Sequence, residues 1–132
     1  SQLKKIDIFI KKRNEIAKFY NNNINNSLIT LPWQSLDSYS SFHLFIIRLK
    51  KNESHIKHKD FFKSLRNNDI NVNLHYIPIY KHPYYKKFKF SETLFPETEK
   101  YYEEAISIPM YFDLSQTDQE KVVDTIEEIL KK

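Results

Sequence analysis

Histidine, tyrosine and lysine are the residues of this chain best able to do chemistry, and their spacing narrows what that chemistry is. Of the five histidines, His55 and His58 stand three apart, an acceptable spacing for two metal ligands on a helix. No nearby carboxylate completes a set of three, so no metal centre is expected. The carboxylates of the last two predicted helices suit first helical turns and solvated faces better than general acid–base work. No serine has a base and an orienting acid close to it in sequence. With no cysteine there is no thiol nucleophile, no thiolate zinc site and no disulfide framework, which permits a reducing compartment.

Two segments remain. His75 and Tyr76 close a predicted strand just ahead of Pro78, and strand ends that lead into loops are where sites tend to be placed. The run His82-Pro83-Tyr84-Tyr85-Lys86-Lys87-Phe88-Lys89-Phe90 interleaves bases with aromatics. Such a pattern can stack on and neutralise single-stranded nucleic acid. It equally suits an aromatic flap packed on a sheet with its lysines reaching water, or a loop that faces an anionic small molecule. Residue types alone leave these three open.

The elements that position these residues follow from periodicity. Leu3, Ile6, Ile10, Ala17 and Tyr20 recur at helical steps and predict a helix over 3–20, broken by the asparagine run 21–26. Residues 42–49 read as a strand, Ser54 as the cap of a second helix carrying Ile56, Phe61, Phe62 and Leu65, and Asn67-Asn68-Asp69 as its left-handed end. A second strand is expected over 70–77, followed by a basic aromatic loop over 80–90. Pro96 suits the first position of a short helix, with Glu97 and Glu99 in its first turn. A third strand over 105–108 stops at Pro109. Ser115 and Asp118 resemble a capping box for a last helix with Val122, Val123, Ile126, Ile129 and Leu130 on its apolar stripe. The order α-β-α-β-α-β-α predicts an α+β, two-layer sandwich of about three strands covered by helices.

Composition bounds the function classes. The 132 residues suffice for one domain, and no apolar run approaches a membrane span. The lysine-rich start carries no secretory h-region, so a cytoplasmic location is expected. The formal charge of +4 is read as a solvated surface. The absence of glycine says more, because a chain of this length ordinarily holds about nine. Glycine-rich phosphate cradles depend on its backbone freedom, so a self-contained cofactor site is not expected.

Four stretches, collinear and in register, carry a resemblance: SQLKKIDIFIKKRNEIAKFY (1–20), SSFHLFIIRLKK (40–51), LHYIPIYKHPYYKKF (74–88) and FPETEKYYEEAISIPMYFDLSQTDQEKV (95–122). They resemble the patterns "QL-K-D-I-KR-IA-Y", "HLYVIRL", "VHYIPVHLQPYYR" and "FP-AE-YY-ISLP-Y-L-DQ-V" of the DegT/DnrJ/StrS sugar aminotransferases. Within that family the Ile77-Pro78-Ile79-Tyr80 wording, with Tyr84-Tyr85 after it, looks closest to the UDP-4-amino-4,6-dideoxy-N-acetyl-altrosamine transaminases and the spore-coat polysaccharide aminotransferases. Where the family usually has glycine after the second helix, this chain has Asp69-Ile70, and aspartate is a tolerable left-handed substitute.

The resemblance implies the small C-terminal domain of a fold-type I enzyme that uses pyridoxal 5'-phosphate as an electron sink. On that basis residues 1–24 form an inter-domain linker helix and 25–132 the small domain. The family's Schiff-base lysine, the aspartate at the pyridine nitrogen and the phosphate-binding residues are expected upstream of Ser1. None of the lysines here matches that motif, so no catalytic or cofactor-binding residue is assigned and the chain alone is expected to be inactive. Glutamate is the implied amino donor and a nucleotide-linked 4-keto-6-deoxy sugar the acceptor, with a 4-amino sugar for polysaccharide or glycan as product. The parent is expected to be a homodimer. In the family the loop after the second small-domain strand faces the cleft. The implied substrate contacts are therefore His75 and Tyr76, with Tyr80, Lys81 and Tyr84 as weaker ones. His75 is expected to donate to a sugar hydroxyl or phosphate oxygen. Two other readings stay in view: a stand-alone basic module for nucleic acid, and a family member that dehydrates sugars.

Overall fold

The structure is a computed structural model and describes residues 2–131. A 3-10 turn, Gln2–Lys5, leads into helix α1, Ile6–Asn23. Ile16, Ala17 and Tyr20 of its second half are buried, and the Tyr20 hydroxyl donates to the Pro109 carbonyl at 3.0 Å. The expected stripe is not buried at its start, where Leu3 and Ile6 are exposed. The helix also runs three residues into the asparagine stretch. Asn23 Nδ2 donates back to the Phe19 carbonyl at 2.8 Å, so asparagine is accommodated here before Ile24 ends the helix.

A three-stranded antiparallel sheet, ordered β1-β2-β3, forms the second layer. Its strands are β1, Ile29–Thr30; β2, Phe45–Leu49; and β3, Ala105–Ile108. Phe45, Ile47 and Leu49 point into the core while Ile46 and Arg48 face the other way, the period of two that a strand imposes. Strand β2 starts three residues later than expected because Phe42 is left-handed (φ 42°), a conformation that interrupts pairing. All four residues of β3 are buried.

The strand expected over 70–77 does not form. Only Asn73 pairs with this edge of β3, exchanging backbone hydrogen bonds with Ser107 at 2.9 and 3.1 Å. The edge offers nothing further to a ladder. The Ala105 carbonyl is within 3.1 Å of the His58 ring, and Pro109 has no N–H to give. The strand count survives because β1, which is too short to show in a periodicity, takes the missing place.

Helix α2, His58–Asn67, begins four residues beyond Ser54. Ser54 is not its cap: the hydroxyl folds into a local turn with Ile56, and Lys57 at the N-cap makes no side-chain cap. The far end is as expected. Asp69 is left-handed (φ 60°), with Asp69 N–H to Arg66 and Ile70 N–H to Leu65 at 3.1 and 3.0 Å closing a Schellman motif. The basic aromatic segment is not simply a loop, since it holds a 3-10 turn, Ile79–Lys81, and a one-turn helix α3, Pro83–Lys86.

Helix α4, Pro96–Glu104, starts on its proline and lies against β2. Helix α5, Gln116–Leu130, is capped by Ser115, whose hydroxyl accepts from the Asp118 N–H at 3.1 Å. Val122, Val123, Ile126 and Leu130 of α5 join α1, α2 and the inner face of the sheet in one apolar cluster. The result is the α+β, two-layer arrangement expected. Among the described residues no helix is long and apolar enough to cross a membrane.

Candidate functional site

The sheet edge that fails to extend builds the first site. Asn73 is tied to Ser107, and two residues on His75 turns its ring so that Nδ1 lies 2.6 Å from Ser107 Oγ. Ser107 Oγ is in turn 3.0 Å from the Asn73 carbonyl. His75 and Ser107 sit in a cleft of about 400 Å³ between the end of β3 and the start of α5, with His43, Asp69, Tyr111 and Asp118 also on its walls. Tyr76 does not line this cleft. Its ring meets the His75 ring edge-on at 4.6 Å and is otherwise exposed, at 72 %.

Tyr80 and Lys81 are drawn elsewhere, to Glu99 in the first turn of α4. The Tyr80 hydroxyl donates to Glu99 Oε1, and the Lys81 ammonium lies 2.6 Å from Glu99 Oε2 and 3.2 Å from Glu92. Tyr80 stacks on Phe95 at 4.9 Å, and Lys81 sits 5.2 Å above the Tyr102 ring. Tyr84 belongs to neither group. It is 65 % exposed, with Lys87 over its ring at 3.7 Å. The five expected contacts thus separate into His75 with Tyr76, a Tyr80–Lys81–Glu99 clamp, and Tyr84 alone. Glu99 is the important residue that sequence reasoning passed over. It read only as a helix first-turn charge, and its partners lie 19 and 18 residues away.

The clamp perturbs its own members. Desolvation, and then the hydrogen bond to Glu99, push the Tyr80 phenol up to about 12. The Lys81 ammonium is raised, chiefly by its bond to Glu99. The Glu99 carboxyl is held below its usual range by Lys81 first and Tyr80 second. Glu99 therefore stabilises the fold above the ordinary carboxylate pKa of about 4.3, and that contribution is lost as pH falls through its lowered value. Tyr80 contributes below the ordinary tyrosine value of about 10 and loses this as pH rises through about 12. The difference in ultraviolet titration between the wild type and Tyr80→Phe should show one phenol ionising near 12. The same difference taken in a Glu99→Gln background should show it moved down toward 10. A Tyr80 phenol near 10 in the unaltered chain would dismiss the clamp.

A second cleft, of about 650 Å³, opens where Leu74 and Tyr102 form an apolar wall below Lys51, Lys57 and Lys59. Lys51 is paired with Glu103 at 2.7 Å, while Lys57 and Lys59 make no ion pair among the described residues. These lysines are scattered through a polar stretch and give no motif, so they were invisible as a group in the sequence.

Neither cleft suits the cofactor that the resemblance implies. Pyridoxal phosphate needs a lysine at its aldehyde, an acid at its ring nitrogen and a cradle for its phosphate. At the first cleft the lysine is Lys121, an exposed residue of α5 with, among the described residues, no aspartate placed to serve a pyridine nitrogen opposite a phosphate cradle. The N-terminus of α5 faces that cleft but is closed by its own Ser115–Asp118 box, which places a carboxylate where a phosphate would go. No glycine is available to shape another cradle. Among the described residues no group of three or more metal-ligating side chains comes together.

The chain resembles known proteins over its whole length. The model of the DegT/DnrJ/EryC1/StrS aminotransferase family matches residues 1–127. The spore coat polysaccharide biosynthesis protein SpsC of Bacillus subtilis is 31 % identical over 98 % of this chain and 34 % of its own length. A UDP-4-amino-4,6-dideoxy-N-acetyl-beta-L-altrosamine transaminase of Campylobacter jejuni is 33 % identical over 100 % of the chain and 35 % of its own length. Among solved structures, Helicobacter pylori PseC, described as an aminotransferase of pseudaminic acid biosynthesis, superposes with a TM-score of 0.89 at 26 % identity, covering 98 % of this chain and 35 % of that one. The chain spans about a third of the length of the curated relatives it matches.

Proposed function

Because this chain belongs to the DegT/DnrJ/EryC1/StrS aminotransferase family, we propose that it is the substrate-facing small domain of a pyridoxal-phosphate-dependent aminotransferase acting on a nucleotide-linked sugar. The observation that carries the reading is the match to the family over residues 1–127, in a chain spanning one third of its relatives' length, with His75 on the wall of a cleft. In this reading the cofactor, its lysine and the amino-transfer chemistry reside in a large domain upstream of Ser1. Residues 1–24 form the connecting helix and 25–132 the small domain. The apolar side chains Ile6 and Ile8, left exposed on the first half of α1, support that division.

Glutamate is the proposed donor and a 4-keto-6-deoxy sugar on UDP or dTDP the acceptor. The names of the Campylobacter relative and of a dTDP-3-amino-3,6-dideoxy-galactopyranose transaminase 31 % identical to this chain support a nucleotide-linked sugar. The parent works in the cytoplasm as a homodimer. The part played by this chain is to bind and orient. His75 meets a polar group of the sugar, and Tyr76, exposed beside His75, offers a ring face. The Glu99 clamp holds the segment that follows. Tyr80 and Lys81 act by fixing that segment, and Tyr84 stays a peripheral contact.

Mixing the 132-residue chain with pyridoxal phosphate and gel-filtering it should leave no cofactor absorbance on the protein. The product of the whole reading frame should retain about one equivalent per chain under the same treatment. Retention by the short chain, or its absence from the long one, would overturn this division of labour.

A further inference from the structure

We propose that Ser107 fixes His75 as a hydrogen-bond acceptor, so that the first cleft takes a sugar hydroxyl at His75 Nε2 and leaves phosphate to other residues. The ligand half of this rests on the nucleotide-sugar reading above; the role of Ser107 does not.

The inference follows from counting protons. A serine hydroxyl has one hydrogen to donate, and Ser107 Oγ has two neighbours, His75 Nδ1 at 2.6 Å and the Asn73 carbonyl at 3.0 Å. The carbonyl can only accept. If Ser107 gave its hydrogen to His75, two acceptor oxygens would face each other at 3.0 Å with no hydrogen between them. The Asn73 carbonyl also accepts from the Ser107 N–H at 2.9 Å, so the oxygen–oxygen contact decides, and the arrangement that avoids it runs one way: His75 Nδ1–H donates to Ser107 Oγ, and Ser107 O–H donates to the Asn73 carbonyl. Ser107 is 5 % exposed, and its backbone is locked to Asn73 on both sides, so water cannot readily substitute for either partner.

A neutral imidazole with its hydrogen on Nδ1 presents a lone pair at Nε2. That nitrogen accepts from a hydroxyl and has nothing to donate to a phosphate oxygen. On the rest of the wall two carboxylates, Asp69 and Asp118, outnumber the one lysine, Lys121, so the balance favours hydroxyls over phosphate. Cations are gathered at the second cleft, where Lys57 and Lys59 have no ion-pair partner among the described residues. Leu74, which lines that cleft, is the residue before His75. The expectation that His75 donates to a sugar hydroxyl or phosphate is therefore reversed: it accepts, and from a hydroxyl.

The test is nitrogen NMR on the chain labelled with 15N-histidine, at about pH 8.5 where ordinary imidazoles are neutral. His75 is assigned by its loss in His75→Gln. The Nδ1–H tautomer should exceed the Nε2–H tautomer by on the order of tenfold. Ser107→Ala should lower that excess to near parity or reverse it, and Ser107→Thr, which keeps the hydroxyl, should preserve it. Protected amides at positions 73 and 107 show that the variants keep the fold. An Nε2–H majority in the unaltered chain, or no change in Ser107→Ala with those amides protected, overturns the role of Ser107. Addition of UDP-N-acetylglucosamine should move the His75 Nε2 resonance, and pyrophosphate alone should not. An equal response to pyrophosphate overturns the hydroxyl assignment. No response to the sugar nucleotide, with the Nδ1–H tautomer in place, sinks the sugar-binding reading and leaves the role of Ser107 standing.

Discussion

Truncating Phe45 to alanine should cost about 3–5 kcal/mol of folding stability, measured by urea denaturation of the 132-residue chain. Phe45 opens β2 and is fully buried. Its ring lies 5.2 Å from that of Tyr20 and 6.1 Å from that of Phe42, and its backbone pairs with Ile108. It joins the strand layer to the helix layer at their centre. Collapse around the lost ring is restricted, because the Tyr20 hydroxyl is held on the Pro109 carbonyl. The cavity therefore stays largely open, which favours the upper part of the range. A domain of this size has about 5–15 kcal/mol in total, so the variant forfeits a large share of it. Trp33→Ala is the control: at 87 % exposure it should change stability by less than about 0.5 kcal/mol. A loss below about 1 kcal/mol for Phe45→Ala would mean that the two layers are not joined as described.

The largest functional effect is expected at His75. In the product of the whole reading frame, His75→Ala should lower kcat/KM for the nucleotide sugar by roughly 10- to 100-fold, the equivalent of one or two lost hydrogen bonds in a desolvated cleft. Most of that should appear as a higher KM with kcat little changed, because the residue is proposed to hold the sugar and not to act on the reacting carbon. Cofactor absorbance should be unaffected. Tyr84→Ala should change kcat/KM by less than about threefold, since the ring is exposed and removed from the cleft. Equal losses for the two variants would remove the distinction between the His75 cleft and the aromatic segment.

What was legible in the sequence was local. The last helix could be read because its capping box and apolar stripe lie within sixteen residues of one another, and the structure keeps Ser115, Val122, Val123, Ile126 and Leu130 in those roles. Strand β3 was bounded by Pro109, and Asp69 stood where a left-handed residue was required. The misreadings share one cause, a dependence on distant partners. Residues 70–77 have a strand's composition, but whether they pair depends on an edge set by Ala105, Pro109 and the ring of His58. Tyr80 and Lys81 have the chemistry of ligand contacts, and their shared hydrogen-bond partner Glu99 lies too far along the chain to be seen in a local pattern. His75 is expected from the sequence to donate, and the polarity we propose instead depends on a serine 32 residues away that no local pattern brings beside it. The first turns of α1 follow the same logic in reverse, with an apolar stripe correctly read as helical but exposed within this chain.

The central claim is that this chain is the sugar-facing part of an aminotransferase, and the most direct measurement follows the nitrogen. The product of the whole reading frame is supplied with pyridoxal phosphate, 15N-glutamate and a UDP-linked 4-keto-6-deoxy sugar, and the nucleotide-sugar fraction is analysed by mass spectrometry. The account predicts an amino sugar carrying 15N, formed more slowly by His75→Ala. A nucleotide sugar that stays unlabelled, or is dehydrated without gaining nitrogen, would contradict it.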